Sequence, residues 1–528
     1  MGGGIAGLTA AAYLARAGVS VLLCEKESGV GGLVNSFERG GFVFDGGIRA
    51  IEDSGIVGPM LRQLGIEVDF LPNAVSIGIG KDVMRVTSKD SLAVYQELLD
   101  KHFPDNEGDI ARMIREVGKV MGYMDVLYGI DNPLFLDLKN NPGYVVRTIL
   151  PWVLKYALTM PKIARLQKPV DEYLSGFTTN KALLDIIAQH FFRKTPAFFA
   201  LSYFSLYLDY RYPRGGTGAL SRALERFTLS KGGQIRTDTA ITSVDPGKHQ
   251  VADSAGKVYR YTKLLWAADL KTLYRIVDPA SSMDRKAADR IQARQEVLSG
   301  KVGGDSVFTL YLAVNLDPAY FAGKSSAHFF YTPCISGLTH VSLSDLLNGD
   351  RGNSTEFISD RASIFAWLKR YLELTTYEIS FPALRDSSLA PEGKTGLIVS
   401  SLFDYSLVKH IRAMGWYDEF KAFMSDCIVD VLSAGIYPGL KAAIIDRFTS
   451  TPLTIERVSG NSGGAITGWA FTNDTIPAVS SIPKVASSVF TPIPDTYQAG
   501  QWTYSPSGLP ISILTGKLAA DRILRDLK

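Results

Sequence analysis

The first fifty residues predict an α/β protein, a parallel sheet covered by helices, on three observations. Gly2-Gly3-Gly4-Ile5-Ala6-Gly7 is a G-x-G-x-x-G loop. A helix rich in small residues is expected directly after it, over about residues 5–17. An apolar run, VSVLLC at 19–24, then reads as a buried parallel strand and ends in Glu25, 21 residues after Gly4.

Each element has a physical reason. Ala10, Ala11, Ala12 and Ala15 keep the helix surface flat enough to lie close on a sheet, and Gly18 supplies the left-handed residue that stops it. Glycines in the loop let a pyrophosphate approach the backbone, where the helix N-terminus favours negative charge. An acid at the end of the next strand accepts hydrogen bonds from ribose hydroxyls. Loop, helix, strand and acid in this order describe a Rossmann-like dinucleotide site. That unit also needs a central strand before the loop, and only Met1 stands there. The expectation is that the true start lies upstream, which leaves any targeting signal unreadable.

Composition narrows the function. The chain has 528 residues, 46% hydrophobic and 21% charged, enough for two or three domain-sized units. Its 56 basic and 53 acidic residues leave a net charge of +3, without the basic excess of a nucleic-acid partner. Cys24, Cys334 and Cys427 are too few and too scattered for a disulfide framework. The six histidines (102, 190, 249, 328, 340 and 410) show no ligand spacing, so no metal is expected. No run of 18 apolar residues lacks charges, which argues against a membrane-spanning helix. Gly460-Asn461-Ser462-Gly463-Gly464 matches a nucleophile elbow, but no histidine follows Ser462 to complete a hydrolase order.

Past Glu25, Gly31-Gly32-Leu33 and Phe44-Asp45-Gly46-Gly47 resemble the flavoproteins related to phytoene desaturase, carotenoid isomerase and retinol saturase. Further blocks carry the same resemblance: Tyr212-Pro213-Arg214-Gly215-Gly216-Thr217-Gly218, the strand that includes Ile241, Ala499-Gly500-Gln501-Trp502, and the final helix after Leu509-Pro510. Where relatives often carry consecutive glycines, this chain has Pro506-Ser507-Gly508. The resemblance implies an FAD cofactor, with Gly2, Gly4, Gly7, Glu25 and Lys26 at its adenosine and pyrophosphate. Gly31, Gly32, Leu33, Asp45, Gly46 and Gly47 would continue the contact, and Ile241 would meet the adenine through its backbone. Gly500, Gln501, Leu509 and Pro510 would lie at the flavin, whose reduced ring the helix N-terminus would stabilise. Arg49, Gln501 and Trp502 are flavin-proximal by position, and no general base is named. The matched blocks imply a discontinuous FAD domain over 1–75, 212–300 and 450–528, interleaved with a mixed α+β substrate domain over 76–211 and 301–449.

Residues 144–170 carry Arg147, Lys155, Lys162, Arg165 and Lys168 with no acid, among Leu150, Trp152, Val153, Leu154, Tyr156 and Leu158. Pro151 and Pro161 are expected to break the segment into short pieces. It reads either as a helix lying on an anionic membrane surface or as a lid over an apolar pocket. The function expected from the resemblance is hydride transfer between FAD and a carbon–carbon bond of a long apolar polyene or isoprenoid. Desaturation, saturation and isomerisation all stay open. The alternatives are an amine oxidase-like flavoenzyme and a non-catalytic lipid or carotenoid carrier with a degenerate flavin site. The expected location is cytoplasmic, either free or attached peripherally to a membrane.

Overall fold

The computed structural model describes residues 1–528 apart from 139, 190, 282–283 and 349–355. His190, one of the six histidines weighed above, therefore lies outside the described residues.

The glycine loop opens a helix, Ile5–Arg16, in which every residue from Ile5 to Ala15 is buried. Its alanines allow close contact with the final helix, Leu509–Asp526. A β-carbon on Gly516 would stand 2.5 Å from the carbonyl oxygen of Ala6, and one on Gly500 would stand 3.3 Å from the Ala6 methyl. The strand expected over 19–24 is shorter, Leu22–Cys24, and pairs in parallel with Gln234–Arg236. A second parallel pair joins Leu264–Trp266 to Thr496–Gln498. The first two residues bridge the pairs. Met1 N donates to Leu265 O at 2.7 Å and Ala267 N to Met1 O at 2.8 Å, while Gly2 N donates to Cys24 O at 2.9 Å. The backbone order across this layer is thus 234–236, 22–24, 1–2, 264–266, 496–498.

A seven-stranded sheet stands beside this layer. Its order is Ile444–Ser450, Ser306–Val314, Thr395–Phe403, Tyr377–Ser380, His328–Thr332, Val75–Ile79, Asp82–Val86. All neighbours are antiparallel except His328–Thr332 beside Val75–Ile79. Side chains alternate between its faces. Phe308, Leu310 and Leu312 pack with Ile364 and Leu368 of helix Arg361–Leu374 and with Met424 and Ile428 of helix Tyr417–Gly435. Tyr311, Ala313 and Ile398 face the other way, onto Phe42 and Phe44 of the hairpin Ser36–Arg39/Phe42–Asp45. Burial on both faces explains why Ser306–Val314 is apolar along nearly its whole length. A third cluster gathers helices Glu107–Tyr128, Lys181–Ala188 and Ala197–Asp209 over Val75–Val86. A small sheet, Ile51–Glu52/Tyr210–Pro213/Phe70–Pro72, ties these parts together.

One expectation is corrected. Pro151 and Pro161 do not fragment residues 144–170, because helix Leu150–Ala164 runs through both. Pro151 sits in its first turn, where a missing N–H costs little, and the chain enters through a widened π-type turn, Val145–Ile149, that makes room for the ring.

Gly516→Ala should separate helices Ile5–Arg16 and Leu509–Asp526 by about half an ångström or more and cost about 1–3 kcal/mol, as overpacking does. A thermal scan of the variant beside the parent should show a lower melting temperature and weaker flavin retention.

Candidate functional site

The loop glycines divide into packed and open positions. A β-carbon on Gly2 would meet the Ala267 carbonyl at 2.7 Å, one on Gly3 would meet Glu25 Oε2 at 2.9 Å, and Gly7 lies directly on Gly2 O. Gly4 alone among them faces open space, with nothing within 4 Å. As the N-cap of helix Ile5–Arg16, Gly4 supplies no side-chain cap, so the first N–H groups of the helix are available to a ligand. Gly31, with φ of 121°, packs behind the loop and donates to Gly3 O at 2.8 Å. Gly32 follows it at φ 57°, and Ile48 N donates to Leu33 O at 3.0 Å. This cradle fits a pyrophosphate.

Glu25 ends the strand and is nearly buried, at 9% exposure. Its Oε2 accepts from Gly3 N at 2.6 Å and its Oε1 from Glu27 N at 3.0 Å, so the acid anchors the loop while keeping lone pairs for a ribose. Thr239 N donates to Glu25 O at 2.8 Å and brings Ile241 alongside. At the other end, Gly500 N donates to Thr515 Oγ1 at 2.9 Å, and Leu509 and Pro510 open the final helix with no side-chain cap.

Three of the residues singled out from sequence turn their side chains to protein. Lys26 donates to the Arg457 carbonyl and pairs with Glu27 at 3.2 Å. Asp45 is fully buried and accepts from Ser36 Oγ and Tyr212 Oη at 2.8 Å and from Thr217 N and Oγ1 at 2.9 Å. Trp502 donates to Asn461 Oδ1 at 3.2 Å and meets Trp469 edge to face. Gly46 and Gly47 serve close approach, since β-carbons there would run into Asn35 and Leu33. Gln501 is half-buried beside Trp502. Arg49 is 5% exposed, donates to the carbonyls of Asp45 and Gly47 and to Ser400 Oγ, and leaves its buried Nε without a partner. Ser462 belongs to a turn that Asp269 holds through the Ser462 N–H at 2.9 Å, which is no elbow.

Beyond Arg49 lies an interior chamber that no sequence motif announced. His328 Nε2 and Glu378 Oε1 are 2.9 Å apart, and Tyr210 stacks on the imidazole at 5.4 Å. The His328 side chain is 2% exposed, whereas Glu378, equally deep in the fold, keeps 36% of its side-chain surface open because it faces the chamber. Burial lowers the His328 pKa and keeps the ring neutral. Burial pushes Glu378 up, but the His328 hydrogen bond and the charges of Arg49 and Arg385 outweigh it and hold the carboxylate ionised. Glu52 behaves oppositely. Burial, with Asp209 adding to it, pushes its carboxyl up to about 7. Tyr203 and Tyr210 lie within electrostatic range of both glutamates, and burial raises both phenols so that they stay neutral. Among the described residues no group of His, Cys, Asp and Glu could hold a metal ion.

Three predictions rest on these positions. Gly4 has extended backbone, φ −69° and ψ 176°, so Gly4→Val should leave the apoprotein's circular dichroism unchanged yet yield colourless protein. Glu25→Ala loses charge-assisted hydrogen bonds worth roughly 1.5–3 kcal/mol, so calorimetric FAD affinity should fall about ten- to a hundredfold. The Glu52 carboxyl binds its proton more tightly folded than unfolded, so its contribution to stability falls as pH rises from 4.5 through about 7. At pH 8 it should cost ~3 kcal/mol relative to pH 4, and denaturant titrations of Glu52→Gln should lack that part of the pH dependence.

Comparison with known proteins places this arrangement. 4,4'-Diapophytoene desaturase (4,4'-diaponeurosporene-forming) of Staphylococcus aureus (strain bovine RF122 / ET3-1) is 22% identical over 557 aligned positions, covering 100% of this chain and 98% of the relative. An oxidoreductase from Methanosarcina mazei has a similar fold, with a TM-score of 0.59 at 12% identity over 99% of this chain and 98% of that one. Cyclohexylamine oxidase from Brevibacterium oxydans IH-35A has a TM-score of 0.55 at 12% identity over 100% and 98%. The description of flavin-containing amine oxidoreductases matches residues 5–313, more than half of the chain, so this protein is an FAD-dependent oxidoreductase that belongs to the flavin-containing amine oxidoreductase family.

Proposed function

We propose that the protein transfers hydride to or from carbon–carbon bonds of a long, apolar polyene of the carotenoid type. The observation that carries this reading is the chamber beside Glu378 and Glu52, faced by the neutral phenols Tyr203 and Tyr210. Tyr128 and Tyr504 are both within electrostatic range of Tyr156, whose ring packs on Trp152 at 4.9 Å. Tyr203, within electrostatic range of both glutamates, also walls an apolar cavity of about 60 Å³ together with Ile77, Ile79, Val117, Phe204 and Phe330. Full-length similarity to a diapophytoene desaturase agrees with such a lining.

Bound FAD supplies the hydride chemistry. The chain would hold it with the Gly2–Gly4 loop on the pyrophosphate, Glu25 on the ribose and the Ile241 backbone on the adenine. Gly31–Leu33, Gly46, Gly47 and Gly500–Gln501 shape the flavin end, where the N-terminus of helix Leu509–Asp526 favours negative charge. The interleaved FAD part over 1–75, 212–300 and 450–528 and the substrate part over the remainder belong to the same reading.

Helix Leu150–Ala164 would admit the substrate. Its outer face exposes Leu150, Val153, Leu154 and Leu158, with Leu154 at 65% and Leu158 at 64%, while Thr159 and Ile163 face inward. Lys155, Lys162 and Arg165 are exposed around that face. Apolar and basic side chains together suit an anionic membrane surface. No helix of the described residues is long and apolar enough to cross a membrane.

Anaerobic mixing of the holoenzyme with acyclic carotenoid precursors in anionic vesicles should bleach the flavin and lengthen the conjugation of the product, or reduced protein should saturate the polyene. The family description favours amine oxidation as the second reading. Flavin reduction by amines with none by polyenes would establish it in place of the first. For the docking face, Lys155→Glu/Lys162→Glu/Arg165→Glu removes attraction of about 1 kcal/mol per residue, so binding to anionic vesicles should drop by about a hundredfold or more. Unchanged sedimentation with vesicles would leave the helix as a lid only.

A further inference from the structure

When a carbon–carbon single bond becomes double, one hydrogen leaves with two electrons and its neighbour leaves as a proton, so a proton acceptor must face the substrate. We propose, on the polyene reading, that Glu52 is that acceptor and the acid–base catalytic group of the site.

Position comes first. Glu25 marks the adenosine end of the dinucleotide and Gly2–Gly4 the pyrophosphate. A ring system held this way would extend to the far side of the loop, toward Arg49 and the start of helix Leu509–Asp526. Glu52 stands there, on the short strand that continues from Arg49. Its Oε1 is 3.5 Å from where a β-carbon on Gly508, the N-cap of that helix, would lie. The Glu52 carboxyl accepts no hydrogen bond and joins no ion pair among the described residues. A carboxyl this deep in a fold ordinarily has a partner, so its lone pairs are left for something the chamber admits.

The surroundings come second. Tyr128, Tyr203 and Tyr210 face Glu52 from helices Glu107–Tyr128 and Ala197–Asp209 and from strand Tyr210–Pro213, and Asp209 stands behind it. Among the described residues no cation acts on it. Glu378, across Tyr203 and Tyr210, has His328, Arg49 and Arg385 to hold its charge. Two carboxyls in one chamber are thus driven apart in acidity, the pattern that separates a fixed anion from a working acid–base group. A group that titrates near neutrality can take a proton and return it.

The step balances. One substrate hydrogen would leave as hydride, with the electron pair of its C–H bond, to the oxidised flavin the site would hold. The adjacent C–H proton passes to the Glu52 carboxylate, and the electrons of that bond close the new C=C. The protonated carboxyl then releases its proton to solvent. Saturation runs the same transfers backwards, with Glu52 as the donor.

The test uses FAD-loaded parent, Glu52→Gln and Glu52→Asp proteins. Absorption of the bound flavin, titrated without substrate, should show a transition centred near 7 in the parent that Glu52→Gln lacks and Glu52→Asp keeps at a shifted midpoint. Anaerobic flavin reduction by polyene in vesicles should slow about 10²–10⁴-fold in Glu52→Gln, lose its pH dependence, and recover in part in Glu52→Asp. An unaltered transition in Glu52→Gln overturns the proposal, and so does reduction at the parent rate. If polyene fails to reduce even the parent, the substrate reading falls. The flavin titration then decides alone whether Glu52 is the titrating group at the ring.

Discussion

The buried Asp45 carboxylate is the contact on which the rest of the site depends. It has no solvent to hold its charge, and four donors from three parts of the chain replace the water. These are Ser36 on the hairpin, Tyr212 on the central strand, and the amide and hydroxyl of Thr217 at the start of helix Gly218–Ser230. Removing any one would leave a charge short of partners where that is expensive. Arg49 grips the same segment through the carbonyls of Asp45 and Gly47 and reaches Ser400 of the seven-stranded sheet, so the dinucleotide layer and that sheet meet at one charged knot. Strand Ile51–Glu52 begins two residues later, and its direction into the chamber is inherited from this anchor.

The knot also explains how two glutamates in one space differ. Arg385 lies 4.4 Å over the ring of Tyr212, the phenol that donates to Asp45, and its charge reaches Glu378. Positive charge is therefore concentrated at the Glu378 side of the chamber, next to the neutral His328. Among the described residues, the charged group acting on Glu52 is another acid, Asp209, and phenols surround it. The asymmetry arises from packing, since each arginine is held by contacts that have nothing to do with the carboxyl it influences.

What the sequence disclosed was local. The glycine loop, its helix and the acid at the strand end lie within 25 residues, and their spacing follows from turn geometry and helical pitch alone. The cofactor class was legible for that reason. The chamber was not, because His328 and Glu378 meet through a strand pairing 50 residues apart and Tyr210 reaches His328 by ring stacking from more than a hundred residues away, and none belongs to a motif. Glu52 in RAIEDSG looks like any acid near a turn. Asp45 and Lys26 show the reverse difficulty. A family pattern marks them as near the cofactor, yet it cannot tell a residue that touches the ligand from one whose side chain fastens the backbone that does. Pro151 misled for a third reason, since a proline breaks a helix only when the preceding turn cannot widen, and here it does.

The outward face of helix Leu150–Ala164 has a thermodynamic consequence. In plain buffer its leucines and valines stay largely in water and add little to folding, so the segment is held chiefly by Thr159, Ile163 and the bond from Trp152 to the Val126 carbonyl. Local opening there costs less free energy than global unfolding. Any amphiphile that covers the face acts as a ligand of the native state and raises apparent stability by linkage, in proportion to the logarithm of its concentration. If an amphiphile covers this face, melting temperature would rise with detergent or lipid content, and a value measured without either would describe the least protected form of the fold.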